Sequence, residues 1–198
     1  MTASVMKADS KAFDKWYLEV MKLLKACSGH VLMRKNDRGL QVYTDSGWGG
    51  EAKNGEPRSR GGYLVTFNGM PVSWRSRLQG VVSLSSAEAE VYALTDGIIE
   101  GLHMSYVAEE LGLRSPNTML PVYCDSQAAI GFQKNGGGGK SRMKHLDLRS
   151  GWLKQMKDGM TSVEYIRTDD NPADHFTKLT NSRQQKDWME KHMAREQD

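Results

Sequence analysis

The stretch Val81 to Gly112, VVSLSSAEAEVYALTDGIIEGLHMSYVAEELG, constrains the fold more than any other. Ser85 and Ser86 are good helix N-caps, and Glu88 and Glu90 fall in the expected first turn, where acidic groups suit the positive end of the helix dipole. Val91, Leu94, Ile98, Leu102 and Leu111 then recur at helical spacing, and Gly112 ends the run as a C-cap residue. The result is a long helix with one apolar face and glutamates at its start. Two more carboxylates end apolar runs elsewhere: Asp45 in QVYTDSGWGG and Asp125 in LPVYCDSQAAI. A helix glutamate facing two strand aspartates would suit a hard metal ion.

The remaining segments supply the layers around that helix. Lys11 to Ala26 reads as an amphipathic helix whose stripe is Phe13, Trp16, Tyr17, Val20, Met21 and Leu24. A short strand is expected at His30 to Met33. Leu40 to Thr44 alternates and ends at Asp45, as a strand does. Tyr63 to Asn68 and Pro71 to Arg75 form two strands around Asn68-Gly69, a strong hairpin signal. Leu120 to Cys124 reads as a buried strand and Ser126 to Lys134 as a short helix with a serine cap. Gly136 to Gly139 is a tetraglycine loop, read as a surface connection because no strand precedes it and no helix cap follows. Arg142 to Met156 is a helix and Val163 to Ile166 a strand. Asn171-Pro172 starts a further helix, with Asn171 as cap and Pro172 in the first position. Lys186 to Arg195 is a polar helix anchored by Trp188.

The order is helix, three strands in a meander, helix, strand, helix, helix, strand, helix. That is a mixed α/β sheet flanked by helices. A strand after the long helix implies a parallel crossover onto the first strand, which sets Asp45 and Asp125 side by side. With 198 residues the chain has room for one domain with a full core. Hydrophobic residues at 38% and charged residues at 26% describe a globular protein. A net charge of +3 permits a nucleic-acid partner without requiring one. Cys27 and Cys124 lack metal-ligand spacing and point to a reducing compartment inside the cell, cytoplasm or nucleus. No apolar run reaches transmembrane length and no signal-peptide core is present, so no membrane segment is expected.

Asp45, Glu90, Asp125 and Asp174 all emerge at element ends. Any one alone is an ordinary cap. As a set they are informative, because packed like charges cost several kcal/mol unless a cation lies between them. Oxygen ligands favour Mg²⁺ or Mn²⁺ over Zn²⁺.

Five blocks in this order carry a resemblance: YTDSGWGG, SRGGYLVTFNGMPVSWRSRLQGVVSLSSAEAEVYAL, VYCDSQAAI, KSRMKHLDLR and VEYIRTDDNPADHFTK. From about Phe13 to Leu179 the chain resembles the ribonuclease H domain of copia-type LTR retrotransposons, of the reverse transcriptase/ribonuclease H family. The resemblance implies the ribonuclease H-like fold, a five-stranded mixed sheet flanked by helices, here with an extra N-terminal helix. It implies three parts: residues 1–39, a helix and connection similar to the end of the polymerase part; residues 40–180, the ribonuclease H-like domain; and residues 181–198, a polar helical tail. It also implies that Asp45, Glu90, Asp125 and Asp174 hold two Mg²⁺ or Mn²⁺ ions and cut the RNA strand of an RNA–DNA hybrid. One ion would activate the attacking water and the other would stabilise the leaving 3′ oxygen. Glu90 is chosen over Glu88 because AEVYAL resembles the glutamate-led helix start of retroviral ribonucleases H.

Arg75, Arg77, Lys140, Arg142, Lys144 and His145 are the expected contacts to the hybrid, with Arg58 and Arg60 near them. His145 and Asp147 match the family's KHxDxR block and are read as substrate-edge or structural residues. The implied partners are the hybrid and a polymerase domain or larger assembly. Cellular relatives carry a histidine in the loop before the last aspartate; RTDDNP has none, and His175 is expected on a helix surface. The polymerase signature Tyr-Xaa-Asp-Asp occurs nowhere in the chain. That absence leaves a second function open, a domesticated domain acting as a structural or binding subunit, against which the four carboxylates argue. A resolvase- or integrase-type nuclease of the same fold is weaker, because the motif blocks point elsewhere.

Overall fold

A computed structural model describes residues 38–49, 57–135, 147–157, 159–178 and 180–192. The expected N-terminal helix and short strand, the tetraglycine loop and residues 142–146 of the expected helix lie outside the described residues, as does Cys27.

Five strands form one sheet: β1 (Leu40–Gly47), β2 (Arg60–Phe67), β3 (Met70–Leu78), β4 (Leu120–Cys124) and β5 (Thr161–Tyr165), in the order β3-β2-β1-β4-β5. The first three form an antiparallel meander, and β4 and β5 add parallel on the other side of β1. Asn68 and Gly69 turn the β2–β3 hairpin with positive φ of 50° and 82°, the pair of left-handed residues that a tight hairpin of this twist needs. Among the described residues four α-helices accompany the sheet: α1 (Ser86–Glu110), α2 (Gln127–Asn135), α3 (Asp147–Lys157) and α4 (Ser182–His192). The predicted parallel crossover from β1 through α1 to β4 is present.

The core lies between the sheet and α1, where Leu40, Val42, Val65, Val91, Leu94, Ile98, Leu120 and Val122 are all buried. Leu153 of α3 and Ile130 and Phe132 of α2 extend it. Leu111 departs from the expected core stripe. It is the C-cap residue and is 67% exposed, because the helical register that buried its predecessors ends one residue earlier. Gly112 follows it with φ of 68°.

Several expected boundaries shift, among them β1, which runs on to Gly47, and β5, which is Thr161–Tyr165 rather than Val163–Ile166. β2 and β3 run on through Arg60, Gly61 and Gly62 and through Ser76, Arg77 and Leu78. Hydrogen bonding to a neighbouring strand extends them past the end of the apolar alternation. The segment after Asn171-Pro172 is a 3-10 turn, Pro172–Phe176, and the last α-helix begins at Ser182 rather than Lys186. Among the described residues no helix is long and apolar enough to cross a membrane.

Candidate metal centre

The site begins with the register of two parallel strands. Val42 pairs with Val122, Tyr43 with Tyr123 and Thr44 with Cys124. Both faces fix that register. The rings of Tyr43 and Tyr123 stack with centroids 5.1 Å apart, and Val42, Thr44, Val122 and Cys124 are fully buried. The next residue on each strand is an aspartate, Asp45 and Asp125. Two carboxylates are thereby held at the ends of adjacent strands by packing that neither supplies.

Glu90 joins them from α1. Its Oε1 accepts hydrogen bonds from the backbone N–H of Ser46 at 3.2 Å and from Ser46 Oγ at 2.8 Å, tying the start of the helix to the end of β1. Its Oε2 is buried and has no hydrogen-bond partner. An unsatisfied buried polar atom costs about 1–3 kcal/mol, and more when charged. Glu88, two positions earlier, points elsewhere. It is buried as well, with its backbone N–H bonded to Ser85 Oγ at 3.2 Å and its Oε2 accepting from the Leu84 N–H at 2.8 Å. Glu88 is the acid of the first turn, whereas Glu90 lies just beyond that turn.

The fourth carboxylate arrives on the 3-10 turn. Asn171 caps it as the sequence predicts, accepting from the Ala173 N–H at 3.1 Å. The same side chain donates to the Thr44 carbonyl at 2.9 Å, which pins the turn to β1 one residue before Asp45. Thr177, at the end of the turn, donates its hydroxyl to the Asp45 carboxylate. Asp174 itself forms an ion pair with Lys178. Asp125 accepts from Thr168 Oγ1 at 2.7 Å.

The electrostatics follow from this crowding. Burial first, and then the charge of Asp45, push the Glu90 carboxyl up to about 8. Burial also raises Asp45, to about 6, against the stabilising Thr177 hydroxyl and with the charges of Asp125 and Asp174 adding to the rise. Such shifts mark buried carboxylates crowded against one another. One oxygen each of Glu90 and Asp125 and the Cys124 sulfur lie within 4.8 Å of one another. Burial, then Glu90, pushes the Cys124 thiol up to about 12, so it lines the site as a neutral group. The donor set fits a hard divalent cation: oxygens dominate, and one is buried and unpaired.

Of the four expected acids, Glu90 and Asp125 thus approach each other directly, the charges of Asp45 and Asp125 act on Glu90, and Asp174 acts on Asp45. Arg75 and Arg77 sit on β3, at the edge of the sheet and two strands from β1. The Arg77 guanidinium pairs with Asp96 of α1 at 3.2 Å, with both side chains partly exposed. Lys140, Arg142, Lys144 and His145 lie outside the described residues. His175 is not on a helix surface as expected. Its ring stacks on Trp188 of α4, 4.9 Å between centroids, and burial lowers its pKa against the opposing pull of Asp174. Ser46, Thr168, Thr177 and Lys178 are the supporting residues that the sequence did not single out. All four stand inside the recognised blocks, so membership of a block was the available signal.

Comparisons with known proteins bear on the family and the fold. No protein-family model matches the chain. It is 38% identical over 167 residues, 83% of its length, to the retrovirus-related Pol polyprotein from transposon TNT 1-94 of Nicotiana tabacum, covering 12% of that polyprotein. It is 31% identical over 151 residues, 76% of its length, to the corresponding polyprotein from transposon RE1 of Arabidopsis thaliana, covering 10% of it. The chain thus spans about a tenth of the length of these relatives. Among solved structures it is similar to LC11-RNase H1, isolated from compost by a metagenomic approach, with a TM-score of 0.50 and 18% identity over 70% of this chain and 91% of that one.

Proposed function

The chain is a ribonuclease H-like domain related to the Pol polyproteins of copia-type retrotransposons, and we propose that it is a metal-dependent endonuclease cutting the RNA strand of RNA–DNA hybrids by two-metal hydrolysis. What supports this reading is the buried, unpartnered oxygen of Glu90 beside the carboxylates that end β1 and β4, with the charge of Asp174 on the 3-10 turn acting on Asp45. Nothing in a purely structural role holds like charges together in this way.

Asp45 is the shared member. Its charge is coupled to Asp125 and Asp174, while that of Glu90 is coupled to Asp45 and Asp125. Asp45 with Glu90 and Asp125 would hold one Mg²⁺ or Mn²⁺ ion, and Asp45 with Asp174 the other. When bound, such a pair supplies Lewis-acid activation of water and charge stabilisation at a leaving oxygen. The protein's own part is orientation. Ser46 fixes the Glu90 carboxylate, Thr177 fixes Asp45 and Thr168 fixes Asp125. At neutral pH the metal-free site keeps a proton on Glu90, which cation binding releases. Arg75 and Arg77, with Lys140, Arg142, Lys144 and His145, are proposed to meet phosphates and 2′-hydroxyls, so that the hybrid is read by shape rather than sequence.

The test is cleavage of a hybrid labelled on one strand at a time. The RNA strand should be cut with Mg²⁺ or Mn²⁺, the DNA strand left whole, and both spared in EDTA. Cutting of either strand in EDTA, or no RNA cleavage with either metal, contradicts the proposal.

A further inference from the structure

We propose that Lys178 makes the two cation positions unequal, its ammonium group occupying the Asp174 side of the cluster and competing there with the metal ion; this rests on the metal-dependent reading above. Three of the four carboxylates are held by neutral donors: Asp45 by Thr177, Asp125 by Thr168 and Glu90 by Ser46. Asp174 alone of the four is paired in the salt bridges of the described residues, and its partner is Lys178, four residues on. An exposed pair at that spacing on a helix is ordinarily worth only a few tenths of a kcal/mol. This one differs in what lies behind it, because the Lys178 charge also acts on Asp45 and Asp125.

The backbone explains the placement. The Thr177 N–H bonds to the Asp174 carbonyl at 3.3 Å, closing the turn that returns Lys178 over Asp174. The Lys178 side chain is 59% exposed and lines an open groove together with Asp174, Thr168 and Trp188. Its flexible stem lets the ammonium leave without moving the backbone. Among the described residues no salt bridge reaches Asp45, Glu90 or Asp125, and the Glu90 Oε2 atom is unpaired. The position formed by Asp45, Glu90 and Asp125 therefore fills first. The position at Asp174 fills when Lys178 is displaced, and a phosphodiester of the bound strand offers the displaced ammonium a new anion.

The experiment is Mn²⁺ binding to the metal-free protein, followed by calorimetry and by loss of the free-ion electron paramagnetic resonance signal. Wild type should show one tight and one weak site. Lys178→Met should tighten the weak site by about fivefold or more, the scale expected when one unit charge a few ångström away is removed. Lys178→Arg should leave both constants near the wild-type values. Lys154→Met removes the same charge from the exposed face of α3 and should change nothing. Superimposable wild-type and Lys178→Met curves, or an equal shift in Lys154→Met, overturn the inference while leaving the metal reading intact. No Mn²⁺ on either wild type or Lys178→Met overturns both.

Discussion

Glu88 and Glu90 are chemically identical, stand two positions apart on one helix, and do different work. Their side chains point about 200° apart at 3.6 residues per turn. Glu88 closes the start of α1 by accepting from Leu84 while Ser85 accepts from Glu88. Glu90 leaves an unpaired oxygen in the carboxylate cluster. Glu90→Gln should therefore abolish cleavage and leave the metal-free melting temperature near that of wild type at neutral pH, since the amide matches the protonated carboxyl of the metal-free site. Glu88→Ala should keep cleavage and cost about 1 kcal/mol, the scale of a lost cap. Cleavage assays and thermal unfolding of both variants check this, and exchanged phenotypes would contradict it. At this scale the acids themselves were legible in the sequence, because a carboxylate at the end of an apolar strand stands out. Their supports were not. Ser46 lies 44 residues from Glu90, Thr168 lies 43 from Asp125 and Thr177 lies 132 from Asp45, and only the fold brings them together.

Among the elements, the seam between α1 and β1 decides whether Glu90 reaches Ser46. Two glycines let the helix sink onto the strand. A Cβ at Gly97 would stand 2.3 Å from Thr44 Cγ2, and one at Gly101 would stand 2.4 Å from Val42 Cγ2 and 2.9 Å from Leu120 Cδ2. An alanine in mid-helix is intrinsically favoured over glycine by about 1 kcal/mol, but overpacking a filled core costs about 1–3 kcal/mol. At these separations the clash wins. Gly97→Ala should lower the melting temperature and slow cleavage by lifting α1. Gly131→Ala in α2, where a Cβ meets nothing within 4 Å, should be neutral or stabilising. Equal effects of the two substitutions would show that the seam is not tight. The long helix, the Asn68-Gly69 hairpin and the Asn171 cap were legible because each has a local cause. The 3-10 turn was not, since Asn-Pro opens an α-helix equally well. What selects the tighter turn is non-local: Asn171 bonded to Thr44 and Thr177 bonded to Asp45.

In the whole molecule, the parallel crossover was readable from the order of elements, and the four carboxylates could be assigned to one end of the sheet before any coordinates. How deeply they are buried could not, because burial depends on what the turn and α1 cover. That burial has a consequence for stability. Asp45 and Glu90 hold protons more tightly folded than unfolded, with folded values of about 6 and about 8 against ordinary values of 3.8 and 4.5. Their contribution is fully present below the ordinary values and is lost as pH rises through the folded ones. The metal-free protein should therefore melt at progressively lower temperature from about pH 5 to about pH 8 as these groups ionise. Millimolar Mg²⁺ should raise the melting temperature, more at the upper end of that range than at the lower. Thermal melts across pH, with and without the ion, measure both. A Mg²⁺ effect independent of pH would contradict the assignment of ligands.

The most direct test of the central claim compares hybrid cleavage by wild type and Asp125→Asn, at equal concentrations of folded protein with Mg²⁺ present. The substitution is isosteric and relieves repulsion, so the variant should fold and melt at least as well as wild type. It should also lose nearly all cleavage of the RNA strand, because one side of the metal site has lost its charge. A folded Asp125→Asn protein that cuts the RNA strand as fast as wild type would contradict the account.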